Sequence, residues 1–387
     1  MQNDLNTNPL IKKNHIELRS KIRDFAEKEI RPIAAKLDDE ARFSQQLTKR
    51  MGEIGLLGIT IPKEYGGQNL DTLSYIIAVE ELARVDSSQA ATVAAHNSLG
   101  IAPICNYGTK EQKSHYLPKL TTGDSLWAFG LTEADAGSDV TRIKTKAELS
   151  DGKWNINGSK LFITNSASDC SAGITVLAIS GERNNKKELS VILVDKHTSG
   201  YSTEPISNKM LWRAVDTGKI SFNNCRVPEK NLLGERGRGA HIMLETLDSG
   251  RLSIAAIGLG LAQGAFEMAL EYSRKRHQFE QPIGKFQSIA FKLADMQIKL
   301  ELARNTLYKV CWQKDAKLPF TKEAALIKLY CSEIAKEIAD EAVQIHGAYG
   351  LMKNNDIERF YRDQRILQIG EGTSEILRVL ISRHLGL

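Results

Sequence analysis

The chain has 387 residues, 42% of them hydrophobic and 26% charged, enough to bury a large core and to form two or three domains. Its 52 Lys and Arg against 47 Asp and Glu leave a formal charge of +5, too slight for a nucleic-acid binder but able to draw in an anionic ligand. Five scattered cysteines with no Cys-x-x-Cys pair, and eight histidines with no His-x-x-x-His pair, argue against a disulfide framework and against a metal centre, and favour a reducing compartment.

Residues 1–18 lack an apolar signal core and contain acidic side chains, so neither export nor organelle import is expected. Residues 1–124 read as a helical domain. Apolar residues recur at three- and four-residue spacing in 10–35 and 73–85, with Pro62, Gly66, Gly67 and Gly108 as breaks. Near residue 125 the pattern turns to short β-rich runs at 126–131, 153–156, 161–164, 173–179, 189–195 and 217–222. Asp151-Gly152 and Asn157-Gly158 fall between such runs and read as hairpin turns. A small antiparallel β domain is expected over 125–234. Residues 235–387 return to helix, with three long segments near 238–274, 284–313 and 321–345 predicted to form an antiparallel bundle. In the last of these, Ile327, Ile334, Ile338, Ala342 and Ile345 share one face, with Lys and Glu opposite. The longest charge-free apolar run, 252–266, is too short to cross a membrane. The order helix, sheet, helix argues against a doubly wound nucleotide fold, and no Rossmann or P-loop fingerprint occurs.

Four segments carry candidate chemistry. Residues 129–139, Phe-Gly-Leu-Thr-Glu-Ala-Asp-Ala-Gly-Ser-Asp, follow the first β run; their small residues allow close backbone approach, and Thr132 and Ser138 can bond a ligand, though an ordinary loop has the same composition. Phe162-Ile163-Thr164-Asn165 puts an aromatic and a hydroxyl on one strand face, suited either to a flavin or to sheet packing. Arg276-His277-Gln278-Phe279, with Gln287 following, combines a cation with amides at a helix end, suited either to a pyrophosphate or to the helix dipole. Gly370-Glu371-Gly372-Thr373-Ser374-Glu375 sets a carboxylate between two glycines just before a helix. Dipole compensation alone needs no flanking glycines, and Glu375 already provides it.

Taken in order, these segments resemble the acyl-CoA dehydrogenase family over nearly the whole chain. Also similar to that family are 61–67 (IPKEYGG), 96–99 (HNSL), 108–113 (GTKEQK), Val227-Pro228 with 231–234 (NLLG), and 344–350 (QIHGAYG). The resemblance implies an α+β multidomain fold with a helical N-terminal domain, a central antiparallel β domain and a C-terminal four-helix bundle. It implies FAD-dependent α,β-dehydrogenation of an acyl-CoA, as in fatty acid β-oxidation, with an electron-transfer flavoprotein as acceptor. A homotetramer built as a dimer of dimers, no nucleic acid, no membrane, and a cytoplasmic or mitochondrial-matrix location follow from it too.

By the same resemblance, Phe129, Leu131, Thr132, Gly137 and Ser138 line the FAD, with Ser138 also nearest the acyl-CoA, and Phe162 and Thr164 border the isoalloxazine. Arg276, Gln278, Gln287, Gln344 and Gly347 hold the FAD of a neighbouring subunit, while Thr373 and Glu375 contact FAD near the base. Asp248, Arg251, Gly372 and Arg383 face the acyl-CoA, and Glu371 falls on the catalytic base. Some members carry that base at the position of Gly250, which has no side chain to act. The sequence departs from the family at Ala134, Ala348, Glu280 and Gly370. Tyrosine is frequent where Gly370 stands, so a wider acyl pocket is expected. The same fold also hosts acyl-CoA oxidases, flavin monooxygenases and DNA-associated flavin binders without turnover; the modest charge disfavours the last.

Overall fold

The computed structural model describes residues 8–387, and the first seven residues of the stretch expected to lack a targeting signal lie outside them. Helices α1 (Lys13–Phe25), α2 (Arg31–Asp39), α3 (Gln45–Glu53), α4 (Thr72–Ala83), α5 (Ser87–Ala94), α6 (Ala102–Tyr107) and α7 (Lys110–Leu120) come first. Wide π-type turns at Ala26–Ile30 and Ala95–Ile101 join α1 to α2 and α5 to α6, and such turns often mark functional sites. Helix α4 starts where the Asp71 side chain accepts from the Ser74 N–H, and every one of its residues is buried, as expected of a helix without a polar face.

The sheet follows: β1 (Leu126–Gly130), β2 (Lys146–Ser150), β3 (Lys153–Thr164), β4 (Ser171–Arg183), β5 (Lys186–Asp195), β6 (Tyr201–Pro205), β7 (Thr217–Pro228) and β8 (Leu232–Leu233). Its order is β6-β7-β3-β2-β4-β5-β8, with β1 beside β4. The pairing is mostly antiparallel. However, β1 runs parallel to β4, with Trp127 opposite Gly173, because the chain leaves β1 and returns to β4 only after the β2–β3 hairpin. Asp151-Gly152 makes the expected tight turn between β2 and β3, both residues at positive φ. Asn157-Gly158 does not turn the chain: β3 runs straight through it with a bulge. Gly158 adopts φ +143°, and a Cβ there would lie 2.7 Å from the Thr145 Cα, so this glycine serves close backbone approach. The β4–β5 turn instead uses Asn184-Asn185 at φ +53° and +56°.

The C-terminal part holds α8 (Gly239–Lys275), α9 (Gln287–Asp315), α10 (Thr321–His346), α11 (Ile357–Asp363) and α12 (Ser374–His384). A short hairpin, β9 (His277–Gln278) and β10 (Gln281–Pro282), links α8 to α9. Helix α8 is long and apolar enough to cross a membrane, but 89% of its apolar window is buried inside the protein. It is the central core helix, packed on α10 and α4. A Cβ at Gly260 would lie 2.2 Å from the Glu80 carbonyl and one at Gly264 2.2 Å from that of Arg84; these glycines bring the helices together. Buried Glu80 accepts from Tyr308 (2.6 Å), Arg304 (2.9 Å) and Arg19 (3.3 Å), so its charge is compensated and α1, α4 and α9 are tied together.

Candidate active site

After α11 a short 3₁₀ segment, Gln364–Gln368, brings the chain to the predicted carboxylate. The N–H groups of Ile369 and Gly370 both return to the Ile366 carbonyl, at 2.9 and 2.8 Å. Glu371 and Gly372 then take left-handed backbone angles, φ +54° and +101°. Thr373 caps α12, its hydroxyl accepting from the Ile376 N–H at 3.2 Å. A left-handed glutamate costs roughly 1–2 kcal/mol, and such strain gathers at functional sites. The reversal turns the side chain beneath α8. A Cβ on Gly250 would fall 2.1 Å from Glu371 Oε2 and 2.9 Å from Leu99 Cδ2. Glu371 Oε2 is sealed from solvent without a hydrogen-bond partner. Burial pushes this carboxyl up to about 7, while the cations of Lys328 and Arg251 oppose the rise.

Both cations are themselves held. Lys328 is fully buried and donates to the Gly372 carbonyl at 2.7 Å; burial lowers its ammonium to about 8, with Glu371 as the strongest opposing charge. Arg251 pairs with Asp248 at 2.5 Å, and Asp248 accepts from the Thr321 hydroxyl at 2.6 Å. The predicted substrate residues Asp248 and Arg251 are thus engaged with each other, although Arg251 Nε has no partner. Ser98 and Ser253, 3.3 Å apart, and Tyr75, donating to the Ala94 carbonyl at 3.0 Å, complete the floor. Arg383 is exposed on the last helix.

The sheet-side candidates approach through the π-type turn. A Cβ at Gly100 would lie 2.3 Å from the Trp127 carbonyl, and Phe129 and Leu131 share an apolar cluster with Leu247 of α8, one turn before Arg251. The Leu161 N–H donates to the Thr132 carbonyl at 2.9 Å, joining the 129–139 segment to the end of β3. There Phe162 has φ +59° and is 65% exposed, whereas Ile163 is in the core and Thr164 is half-buried. A strained, outward phenyl ring is costly unless something covers it. With Thr132 tied by its backbone to Leu161, Thr164 two residues beyond Phe162 and the open loop of Gly137 and Ser138, this exposed face suits a flat, polar-edged ring such as a flavin.

Arg276, Gln278, Gln287, Gln344 and Gly347 are all exposed at one end of the bundle. Arg276 lies over the Tyr349 ring. The structure groups these five residues but does not bring them to Glu371 within one chain. Thr373 Oγ1 serves as the helix cap, and Glu375 is exposed in the first turn of α12.

Sequence reasoning missed three groups. Lys328 was placed among the polar residues of α10 yet is buried. It belongs to a second stripe of small residues (Ala324, Ser332, Ala335, Ala339) that the isoleucine pattern hid. Buried Lys160 pairs with Glu133 at 2.7 Å, and Glu133 also accepts from Thr145 Oγ1 and the Lys144 N–H, both at 2.7 Å, pinning the 129–139 loop. A cavity of about 450 Å³ is lined by five cations, Arg183, Lys186, Lys187, Arg236 and Arg238, and by two acids, Glu188 and Glu235. Lys187 of that cavity donates to the carbonyls of Thr141 and Ile143, just beyond Ser138. Among the described residues no cluster of His, Cys, Asp or Glu is arranged to hold a metal ion.

Comparison with known proteins matches this arrangement. Residues 12–124, 128–225 and 237–386 match the N-terminal, middle and C-terminal domain models of acyl-CoA dehydrogenase. The short-chain specific acyl-CoA dehydrogenase of Clostridium acetobutylicum is 41% identical over 365 residues, 94% of this chain and 96% of that protein. The mitochondrial short-chain specific enzyme of Rattus norvegicus is 43% identical over 372 residues, 96% and 90% of the two chains. Among solved structures, butyryl-CoA dehydrogenase from Megasphaera elsdenii superimposes with a TM-score of 0.94 at 37% identity, covering 97% of this chain and 99% of that one. A chain from the study of the electron transferring flavoprotein of Acidaminococcus fermentans gives 0.94 at 39% identity, covering 97% and 98%. An acyl-CoA dehydrogenase complexed with FAD from Bacillus anthracis gives 0.90 at 34%, covering 97% and 67%. With all three domain models in order along one chain, the protein belongs to the acyl-CoA dehydrogenase family.

Proposed function

We propose that this chain is an FAD-dependent dehydrogenase of short acyl-CoA thioesters and that Glu371 is its catalytic base. The observation that carries the reading is the half-buried Glu371, whose Oε2 is closed off from water and unpartnered and which is held inward by a left-handed backbone. The α-proton of a thioester is only weakly acidic, so a solvated carboxylate removes it poorly. Burial raises the Glu371 carboxyl to about 7, which makes it a better base while leaving it ionised in a useful fraction at neutral pH. The Glu371 N–H donates to the thioester oxygen as negative charge develops there; one such donor is typically worth about 3 kcal/mol. Bound FAD supplies the acceptor for the β-hydride, so that loss of proton and hydride together leaves a trans-2-enoyl-CoA.

Phe162, Thr132 and Thr164 position the ring edge of the cofactor. The cationic cavity beyond Ser138 suits the phosphates of the CoA moiety. A short acyl group is supported by the names of the relatives. Gly370, where an added Cβ would meet nothing closer than 3.6 Å, leaves room for a branched one. The exposed Arg276, Gln278, Gln287, Gln344 and Gly347 belong with the FAD of a neighbouring subunit in a homotetramer. An electron-transfer flavoprotein is the proposed acceptor.

The test is anaerobic bleaching of the flavin by straight and branched acyl-CoAs. The parent protein is expected to bleach, and Glu371→Gln to keep its FAD but lose reduction by at least about 1,000-fold. Undiminished bleaching in that variant refutes the assignment, and peroxide release in step with turnover moves the reading to an oxidase.

A further inference from the structure

Lys328 stands out because the chemistry above does not use it. A lysine is almost never completely buried without a reason, and this one lies in the alanine-rich face of α10, with Ala324 and Ser332 one turn away on either side. Its Nζ donates to the carbonyl of Gly372 at 2.7 Å, the residue that follows Glu371. The same helix grips the approach to the loop one turn later. The Ser332 hydroxyl donates to the Leu367 carbonyl at 2.8 Å, and Gln368 Nε2 donates to the Ser332 carbonyl at 3.0 Å. Helix α10 therefore holds the base loop from both sides of its reversal. The Lys328 bond falls where two successive left-handed residues most need an external restraint.

We propose that Lys328 is a positioning residue for Glu371: its bond to the Gly372 carbonyl fixes the backbone reversal so that the carboxylate faces Gly250, and it sets a buried cation at the base loop. This rests on the assignment of Glu371 as base.

A full set of charges bears on the pair. Arg251 reaches it from α8, half-neutralised by Asp248. Tyr75 of α4 borders Glu371 on the neutral side. On the outer side of Lys328, Glu333 and Glu375 add weaker negative charge. Arg251 is committed to Asp248 and makes no bond to the loop in this arrangement, so the tether and the larger compensation both fall to Lys328. A base left with burial alone would remain protonated at neutral pH, whereas a base fully neutralised by a tight ion pair would be too weak. A cation bonded to the neighbouring carbonyl gives the intermediate condition.

Two variants separate the roles. Lys328→Gln keeps a donor for the Gly372 carbonyl without the charge, and Lys328→Met removes both. The Glu371 titration is read directly, without substrate or turnover, as the infrared carboxylic-acid band that disappears in Glu371→Gln. It is read again as the pH profile of flavin reduction at saturating acyl-CoA. Removing the cation raises the midpoint in both readouts by about one unit or more, so reduction at pH 7 slows while the high-pH plateau is better kept by Gln than by Met. A merely structural lysine would lower the plateau without moving the midpoint. Unmoved infrared midpoints in folded, FAD-loaded variants overturn the proposal, and if Lys328→Met does not fold, Lys328→Gln decides alone. Continued reduction by Glu371→Gln sinks the assignment of the base instead, so the two failures are distinguishable.

Discussion

At the scale of single residues, the site depends on one carboxylate and on the space it fills. Gly250 leaves that space: an added methyl would lie 2.1 Å from Glu371 Oε2, far inside van der Waals contact. The displaced atom is the end of a side chain, so Gly250→Ala is expected to fold and bind FAD yet to lose more than about tenfold in flavin reduction, since small misplacements of a base are costly. Stopped-flow bleaching checks this, and full activity would show that the carboxylate has another working position. Glu371 also makes a pH prediction for stability. Its carboxyl is raised by burial to about 7 from an ordinary 4.5, so the folded state binds the proton more tightly than the unfolded chain does. The stabilising contribution of the protonated form is complete below about 4.5 and is lost as pH rises through about 7. Glu371→Gln should therefore gain on the parent by about 1–3 kcal/mol at pH 8 and by almost nothing at pH 4, as denaturant unfolding at the two pH values would read. An equal difference at both would contradict the burial argument.

At the scale of elements, the 129–139 loop is positioned by a buried ion pair as well as by the packing of Leu131 and Ala136. Lys160 on β3 reaches the Glu133 carboxylate at 2.7 Å and the Leu131 carbonyl at 3.2 Å, while burial and the pairing act on the two groups in opposite senses. Burial lowers the lysine; the Lys160 charge and the hydrogen bonds to Glu133 outweigh its burial and lower that carboxyl. Breaking such a pair by removing one partner typically costs 3–5 kcal/mol. Lys160→Met is expected to lower stability by about that amount and to release FAD more readily, with Glu133→Gln added to it recovering part of the loss. Thermal unfolding with and without added FAD measures both effects. Unchanged FAD retention would mean that the loop holds its shape without the pair.

At the scale of the whole molecule, the bundle carries apolar side chains that one chain leaves uncovered. Phe291, Ile298 and Leu302 are each more than half exposed and lie on the outward side of α9, opposite buried Leu293, Leu300 and Leu307. Phe279, Tyr349, Leu351 and Met352 are exposed at the corner that carries Arg276 and Gly347. Patches of this kind mark interfaces, and the proposed homotetramer covers them. Replacing Ile298 and Leu302 together by Glu is expected to split the assembly by light scattering. Bound FAD should fall with it, because the proposed assembly takes part of each FAD site from the neighbour. An intact assembly, or a dissociated one with full FAD, would separate the two claims.

Helical periodicity, the change to β-rich runs near residue 125 and the glycine-flanked Glu371 were all legible in the sequence, because each is a local pattern. The long helices fell within a few residues of their predicted ends, since apolar spacing along one helix needs no knowledge of its neighbours. What the tertiary structure decided is long-range. It made β1 parallel to β4. It turned Asn157-Gly158 into a bulge because Thr145 presses against it, where the dipeptide alone reads as a turn. It buried Lys328, which charge alone would place in water, by offering it the Gly372 carbonyl. It brought Gly250, Leu99 and Glu371 to one point from three segments that share no pattern, since close approach between distant parts of a chain is set by packing and leaves no period in the sequence.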